Sequence, residues 1–480
     1  MPNKNRDFSM KLFSRFGTVA EDSRSDIKLD TGKFLSSEET MERSHPAHVG
    51  NQESQRPRNA AGGLTGVSRR HFLAESASIG AIFVCGLLPA RGEEERPVKV
   101  GFILPQEGRL AAEAASLMAG FEFFMMEKGV NAPPLDLLKR DSGPKDEKTL
   151  EALAELVMNK EVQFLIGPPS LGGAEKAVHA VAGSNVVLFV TNPSVRLVAG
   201  ELCLPGSFRL CSNTYQAAQP LAAWAIKTYG AKVFITGEDD TQGNEEADFF
   251  AYGFEKAGGT FGDRMMFTTG SHKMDDLLDA VRKIAPDFVF ASFRQDSAVE
   301  FLKALRSATP SLPQSLIGPE SLTAFPHTLA LAGRTAAGVT TSSTMVNPVE
   351  FARRVKEKIG REVAFAERAA EGYDIAHVIF RVAQETGLRG NNAPKTIKAI
   401  EEIDIQGPRG RIQFDKNHEP ILEVMVQQWE ADEGDPTRKV LEKLGPCRTP
   451  DFGCGRVGFP KRPENEKKDD AEPLWEEKDE

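Results

Sequence analysis

The sequence predicts an α/β protein made of two doubly wound parallel-sheet lobes, and three observations lead there. Short β-rich runs such as residues 98–104 and 186–190 are apolar at consecutive positions instead of alternating. Strands of that kind are buried on both faces, as in a parallel sheet covered by helices. Amphipathic helical stretches separate them, which is the alternation of βαβ units. Finally, 480 residues, 40% of them hydrophobic, with 42 Gly and 29 Pro for turns, exceed one lobe at roughly 100–200 residues per domain.

Residues 98–104 form the first strand, which Pro105 ends because it has no N–H to give a ladder. A helix over 111–128, a strand over 135–140, a helix over 146–159, a strand over 162–166, a helix over 172–182 and a strand over 186–190 follow. The scheme repeats from Ser212. Helices are predicted over 216–229, 245–257, 274–284 and 297–309, with strands over 232–236, 260–267, 287–291 and 315–317. Beyond Met345 come helices over 348–359, 365–386 and 393–402, then strands over 410–414 and 422–429. Residues 431–480 read as a Pro- and charge-rich tail.

Residues 1–67 lack a sustained apolar period and read as a disordered leader. Then Ser68-Arg69-Arg70-His71-Phe72-Leu73 precedes a short apolar run and Leu88-Pro89-Ala90. Paired arginines before such a run resemble a twin-arginine export signal over 68–90, which implies the periplasm. The run is shorter than the ~18–20 apolar residues that span a bilayer. Bulky Phe83-Val84 ahead of Cys85 argue against lipid attachment. In an oxidising compartment Cys203, Cys211, Cys447 and Cys454 become candidates for disulfides. Pairing within the close couples is the simplest of three connectivities.

A net charge of −10 leaves no basic field for nucleic acid. The spacing of Gly167 to Gly172 is that of a phosphate loop, but Gly173 and Ala174 stand where Lys and Ser/Thr are needed. There is no G-x-S-x-G or H-E-x-x-H motif, and no pair of histidines at i, i+4. No enzyme activity, cofactor or metal is expected.

In open α/β sheets ligands sit beyond the carboxyl ends of the strands. Four such ends carry the loops Pro105-Gln106-Glu107-Gly108, Gly167-Pro168-Pro169-Ser170, Thr191-Asn192-Pro193-Ser194 and Gly318-Pro319-Glu320-Ser321. With Phe208-Arg209 and the acidic loop Glu238 to Gly243, in this order, residues 98–430 resemble the type I periplasmic solute-binding proteins, specifically the leucine/isoleucine/valine-binding family of ABC-transporter receptors.

The resemblance implies two lobes joined by three crossovers. Lobe I would comprise 98–211 and 346–405, and lobe II 212–345 and 406–430. It also implies a monomer that captures an amino acid or small organic carboxylate or amide by hinge closure and presents it to a membrane permease. A sensor of the same fold, signalling to a membrane partner, is the alternative.

By resemblance, Ser170 and Ser194, with Asn192 and Pro193, hold a ligand carboxylate through hydroxyls and backbone N–H groups. A hydroxyl donates to an anion without burying a counter-charge. Ser170 is equally suited to cap the following helix. Glu320 after Gly-Pro corresponds to the family's partner for a ligand ammonium, and otherwise is a surface loop acid. Gln242 stands where the family commonly has a ligand-packing tyrosine. Phe293 either stacks on the ligand or packs inside. Arg294, with Arg109 and Arg196 in other cleft-side loops, offers a fork for an additional anionic group, or else these arginines are solvated.

Overall fold

The computed structural model describes residues 97–454 apart from 269–273, 309–314, 325–335, 388–391 and 431–436. The leader, the proposed export signal with Cys85, and residues 455–480 lie outside the described residues.

The first sheet has the order β2-β1-β3-β4-β5, from Leu135–Arg140, Val98–Ile103, Phe164–Ile166, Val187–Val190 and Ser207–Arg209. All its pairings are parallel. Strand side chains point alternately to opposite faces, and here both faces are covered. Phe164, Ile166, Val187 and Phe189 pack in one core with α1 (Ala111–Lys128) and the residues of Ala366–Thr386 and Ala393–Glu401. Leu165, Leu188 and Val190 pack in the opposite core with Thr149–Leu153, called α2, and Leu171–Val181, called α3. Continuous apolar runs are the outcome. The predicted helix over 146–159 starts later, at Thr149, and its second half, Ala154–Asn159, is π-helical.

The second sheet contains the parallel strands β6 (Lys232–Glu238), β7 (Thr260–Phe267), β8 (Phe288–Ser292), β9 (Leu316–Gly318) and β10 (Thr340–Ser343). Helices α4 (Thr214–Ala218), α5 (Leu221–Tyr229) and α6 (Thr241–Lys256) cover one face, and α7 (Met274–Ile284) and α8 (Gln295–Ser307) the other. Pro220 divides the predicted single helix over 216–229 into α4 and α5, lacking the N–H that would continue the ladder. Helices α9 (Pro348–Ile359), α10 (Ala366–Thr386) and α11 (Ala393–Glu401) then return to the first lobe's side, followed by β11 (Ile405–Gly407), β12 (Gly410–Phe414) and β13 (Pro420–Glu430).

Strand β13 runs antiparallel to β10 and spans two cores: Leu422 packs with the first lobe, whereas Val426 and Trp429 pack with the second. Ile412 and Phe414 also pack in the first core, although sequence placed residues 406–430 in the second lobe. The tail reading fails at Thr437–Cys447, which is strand β14, paired antiparallel with β13. Its Lys and Glu residues suit an edge strand with one wet face, so the segment lacks the apolar signature of the central strands.

Two glycines set the approach of α1 and α10. A Cβ on Gly120 would lie 1.7 Å from the Ala369 carbonyl oxygen, and one on Gly372 would lie 1.9 Å from that of Leu117. Only glycine permits backbones this close, and the contact carries the start of α10 to the start of α1.

The disulfide joins Cys203 to Cys454, leaving Cys211 and Cys447 free, so pairing within close couples is incorrect. The chain past β14 folds back: the Phe452 N–H donates to Ala199 O at 3.0 Å, and its ring packs on Tyr215 and Phe249. That return brings positions 251 residues apart together. Because the bond closes so long a loop, we expect Cys203→Ser to lower unfolding stability by about 2–4 kcal/mol. Denaturant melts should show the loss and reproduce it in reduced wild type, while Cys447→Ser should melt like wild type.

Candidate functional site

The carboxyl ends of the two parallel sheets supply the loops expected to meet a ligand. In lobe I, Ser170 caps α3: its hydroxyl accepts from the Gly173 N–H at 3.0 Å and donates to Asp146 Oδ2 at 2.5 Å. The capping role is therefore filled, and so is the hydroxyl's donor. Asn192 ties two loops together, donating to Pro169 O and accepting from the Ser194 N–H, both at 3.0 Å. The Pro193 carbonyl accepts from the Thr214 N–H at 3.0 Å. Ser194 is buried and donates to Glu245 Oε1 on α6 at 2.7 Å. The neighbouring Thr191 Oγ1 is buried without a hydrogen-bond partner.

In lobe II, Glu238 ends β6 and is fully buried between two guanidinium groups. Arg294 donates to its Oε2 at 2.9 Å from the same lobe, and Arg109 does so at 3.1 Å from the first. Burial acts to raise the Glu238 pKa, but Arg294 and Arg109 together hold it below the ordinary carboxylate value. Arg294 also pairs with Asp240, and its Nη1 is buried without a hydrogen-bond partner. Gln295 strengthens the crossing: its side chain accepts from Arg109 Nε at 2.8 Å and donates to Arg109 O at 3.1 Å. It does so from a left-handed backbone, φ 52°, a strained conformation of the kind that collects at functional sites.

The remaining predicted residues have other partners. Gln242 donates to Glu246 Oε1 at 2.9 Å, and Ser292 to the same carboxylate's Oε2. Phe293 is fully buried with its ring 4.8 Å from that of Phe301, which is the packing alternative. Arg196 pairs with Glu201 and Glu175 inside lobe I and so is not a cleft cation. Glu320 accepts from Ser343 Oγ at 3.3 Å and from Arg438 Nη1 at 3.4 Å. Its side chain is only 12% exposed, so it is a largely enclosed acid rather than an open surface one.

Several residues were not singled out from sequence. Arg438, on β14, also donates to Glu367 Oε1 at 2.8 Å, and its guanidinium lies 4.4 Å from the Trp429 ring. Arg438 Nε and Glu367 Oε2 are buried without hydrogen-bond partners. Burial and the adjoining Glu367 push Glu320 well above the usual carboxylate pKa, whereas Arg438 outweighs burial at Glu367 and holds it low. Next to it, Arg368 donates to Glu113 at 3.1 Å, Thr191 O at 2.9 Å and Glu371 at 2.9 Å. Arg368 belongs to a long amphipathic helix, and only the glycine-mediated crossing brings it to Glu113.

Behind these groups lies a buried network of charged and polar groups. Arg209, on β5, sits 3.2 Å from Glu419 and donates to Ser194 O at 2.6 Å. Asn213 donates to the same Glu419 oxygen, Oε2, at 3.0 Å, and Thr214 to Glu245 at 2.6 Å. Burial pushes Glu245 up to about 7 against the Thr214 and Ser194 hydroxyls, and pushes Glu419 up to about 7 against Arg209.

Among the described residues no group of three or more His, Cys, Asp or Glu is arranged to hold a metal, and no helix is long and apolar enough to cross a membrane. A cavity of about 380 Å³ is lined by none of the predicted site residues but in part by Phe123, Asn347, Phe351, Arg354 and Tyr373. Phe123 is ten residues along α1 from Glu113, about 15 Å at the helical rise.

Residues 97–435 match the family model described as periplasmic binding protein. Leu/Ile/Val-binding protein homolog 6 of Brucella suis biovar 1 (strain 1330) is 25% identical over 358 residues, covering 72% of this chain and 91% of that protein. The structure of an R. palustris ABC-transporter solute-binding protein in complex with benzoate has a TM-score of 0.65 at 20% identity, covering 75% of this chain and 100% of that one. A leucine-binding protein of Thermotoga maritima MSB8 has a TM-score of 0.61 at 20% identity, covering 72% and 99% respectively. These structures share the fold of two lobes.

Two buried acids make stability pH-dependent. Glu245 and Glu419 are each pushed up to about 7, above the roughly 4.3 of an unfolded glutamate. The native state therefore binds more protons between those values, and stability falls as pH rises through the window. Melting temperature should be higher at pH 5 than at pH 8. His377, pushed down to about 4 by burial, opposes this, so the decisive comparison is with Glu245→Gln, whose decline should be shallower. A variant slope equal to that of wild type would contradict the assignment.

Proposed function

The chain belongs to the periplasmic binding protein family, whose model spans residues 97–435, and from this premise we propose that it is the solute receptor of an ABC-type transporter, closing its lobes on a small organic carboxylate and delivering it to a membrane permease. The observation that carries the reading is the convergence of Arg109 from one lobe and Arg294 from the other on the single carboxylate of Glu238. Arg294 keeps a buried N–H with no partner, and Thr191 a buried hydroxyl with none. A ligand carboxylate entering here supplies the missing acceptors and shares the guanidinium groups with Glu238, with charge-assisted bonds as the source of affinity.

Such a receptor performs no chemistry. Its ligand acts by binding the closed arrangement more tightly than the open one, since equal affinity for both would shift nothing. Ser170 and Asn192 frame the lobe I side in this reading, and Arg294 with Gln242 the lobe II side. Ser194 and Phe293 serve the hinge and the core. Benzoate bound to a structural neighbour of the same fold supports a carboxylate with an apolar body. Export to the periplasm by the twin-arginine signal at 68–90, and action as a monomer, belong to the same proposal.

Thermal shift and calorimetry on the purified chain test it, with benzoate, 4-hydroxybenzoate, 4-methylpentanoate and L-leucine as probes. At a hundred times Kd a ligand adds about 2.7 kcal/mol to native stability, which is readily seen as a rise in melting temperature. We expect at least one carboxylate to produce it, and Arg294→Met to weaken that carboxylate about tenfold or more. No response to the panel at millimolar concentration would refute the carboxylate reading, and full affinity in the variant would remove Arg294 from the site.

A further inference from the structure

We propose that Arg438 is a specificity residue of the cleft: its guanidinium occupies the place beside Glu320 that a ligand ammonium would take, so the site favours carboxylates without a neighbouring amine over α-amino acids. This rests on the reading that the cleft takes a small carboxylate, and adds which carboxylates it rejects.

Glu320, which follows β9, is a largely enclosed carboxyl group with its side chain 12% exposed. A carboxylate removed from water requires a cation or a proton. Arg438 supplies the cation: Nη1 lies 3.4 Å from Glu320 in lobe II and 2.8 Å from Glu367 on α10. The side chain is nearly inaccessible and is held in three ways. Arg438 pairs in register with Trp429 across β13 and β14, its guanidinium lies over the Trp429 ring at 4.4 Å, and the two acids grip it from different elements.

A planar guanidinium fixed by a ring and two carboxylates does not swing aside cheaply. An incoming ammonium would meet a like charge already paired to its acceptor, and like-charge juxtaposition is how binding sites discriminate between related ligands. A carboxylate meets the reverse situation, because Arg438 Nε is a buried donor with no hydrogen-bond partner. Arg438 comes from β14, beyond the strands that form the two parallel sheets. The selectivity is therefore carried by an added strand rather than by the loops at the strand ends.

The experiment compares 4-methylpentanoate with L-leucine, which share a carbon skeleton and differ by the ammonium, using calorimetry on the full chain. Wild type should bind the acid about tenfold or more tightly than leucine. Arg438→Met keeps the apolar stem and removes the charge, and should reduce the preference to about threefold or less, mostly by a gain for leucine. Arg438→Lys retains a cation and should preserve the preference. If Arg438→Met leaves two buried acids unbalanced and does not fold, Arg438→Met combined with Glu367→Gln replaces it and should show the same reduced preference. Binding of both probes with the same ratio in wild type and the charge-removing variant overturns this proposal alone, as does a wild type that prefers leucine. Silence of both probes, together with benzoate and 4-hydroxybenzoate, on wild type overturns the carboxylate reading and this proposal with it.

Discussion

Burial of Arg209 is the constraint on which the rest of the molecule depends. A guanidinium that never meets water must be matched by a carboxylate, and here Glu419 and the Ser194 carbonyl, from distant parts of the chain, supply the match while Nε and Nη1 keep no hydrogen-bond partner. Glu419 immediately precedes β13, Ser194 lies in the loop after β4, and Asn213 and Glu245 bring the first crossover and lobe II into the same cluster. One charge thus ties the strand that leaves lobe I to the loop after β4 and to the segment that returns. Removing either member of such a pair strands the other, which commonly costs 3–5 kcal/mol.

The same accounting governs the cleft. Arg109, Arg294, Arg368 and Arg438 are each paired with carboxylates. Several pairs join elements of different lobes, Arg109 with Glu238 among them. In the proposed reading these are the ion pairs that a ligand carboxylate enters and shares. On that proposal, the ligand's charge pattern matters more than its size. Phe293, for which the sequence left ligand stacking and internal packing both open, is committed to the core.

Much of the architecture was legible in the sequence. The strands β1, β3, β4, β6 and β8 announce themselves because burial on both faces forces consecutive apolar residues, and local composition records that demand directly. The strands missed are those for which local composition says little. Ser207–Arg209 is three residues long, Thr340–Ser343 is polar, and Thr437–Cys447 is a charged partner of β13. Their pairing is decided by neighbours far along the chain.

The candidate site divides in the same way. Loops at strand ends were identifiable because backbone topology places them, and Ser170, Asn192, Arg294 and Glu320 are found at them. What each side chain does there is a matter of partners. Ser194 serves Glu245, Glu320 is matched by Arg438, and Cys203 joins Cys454 rather than a nearby cysteine. By itself the sequence determined the alternating elements, the two lobes and the loops that face one another, since these follow from local periodicity and chain connectivity. Only the tertiary structure decided which buried charge answers which, because an ion in a low-dielectric interior is neutralised by whatever the fold brings within about 4 Å, however distant in sequence.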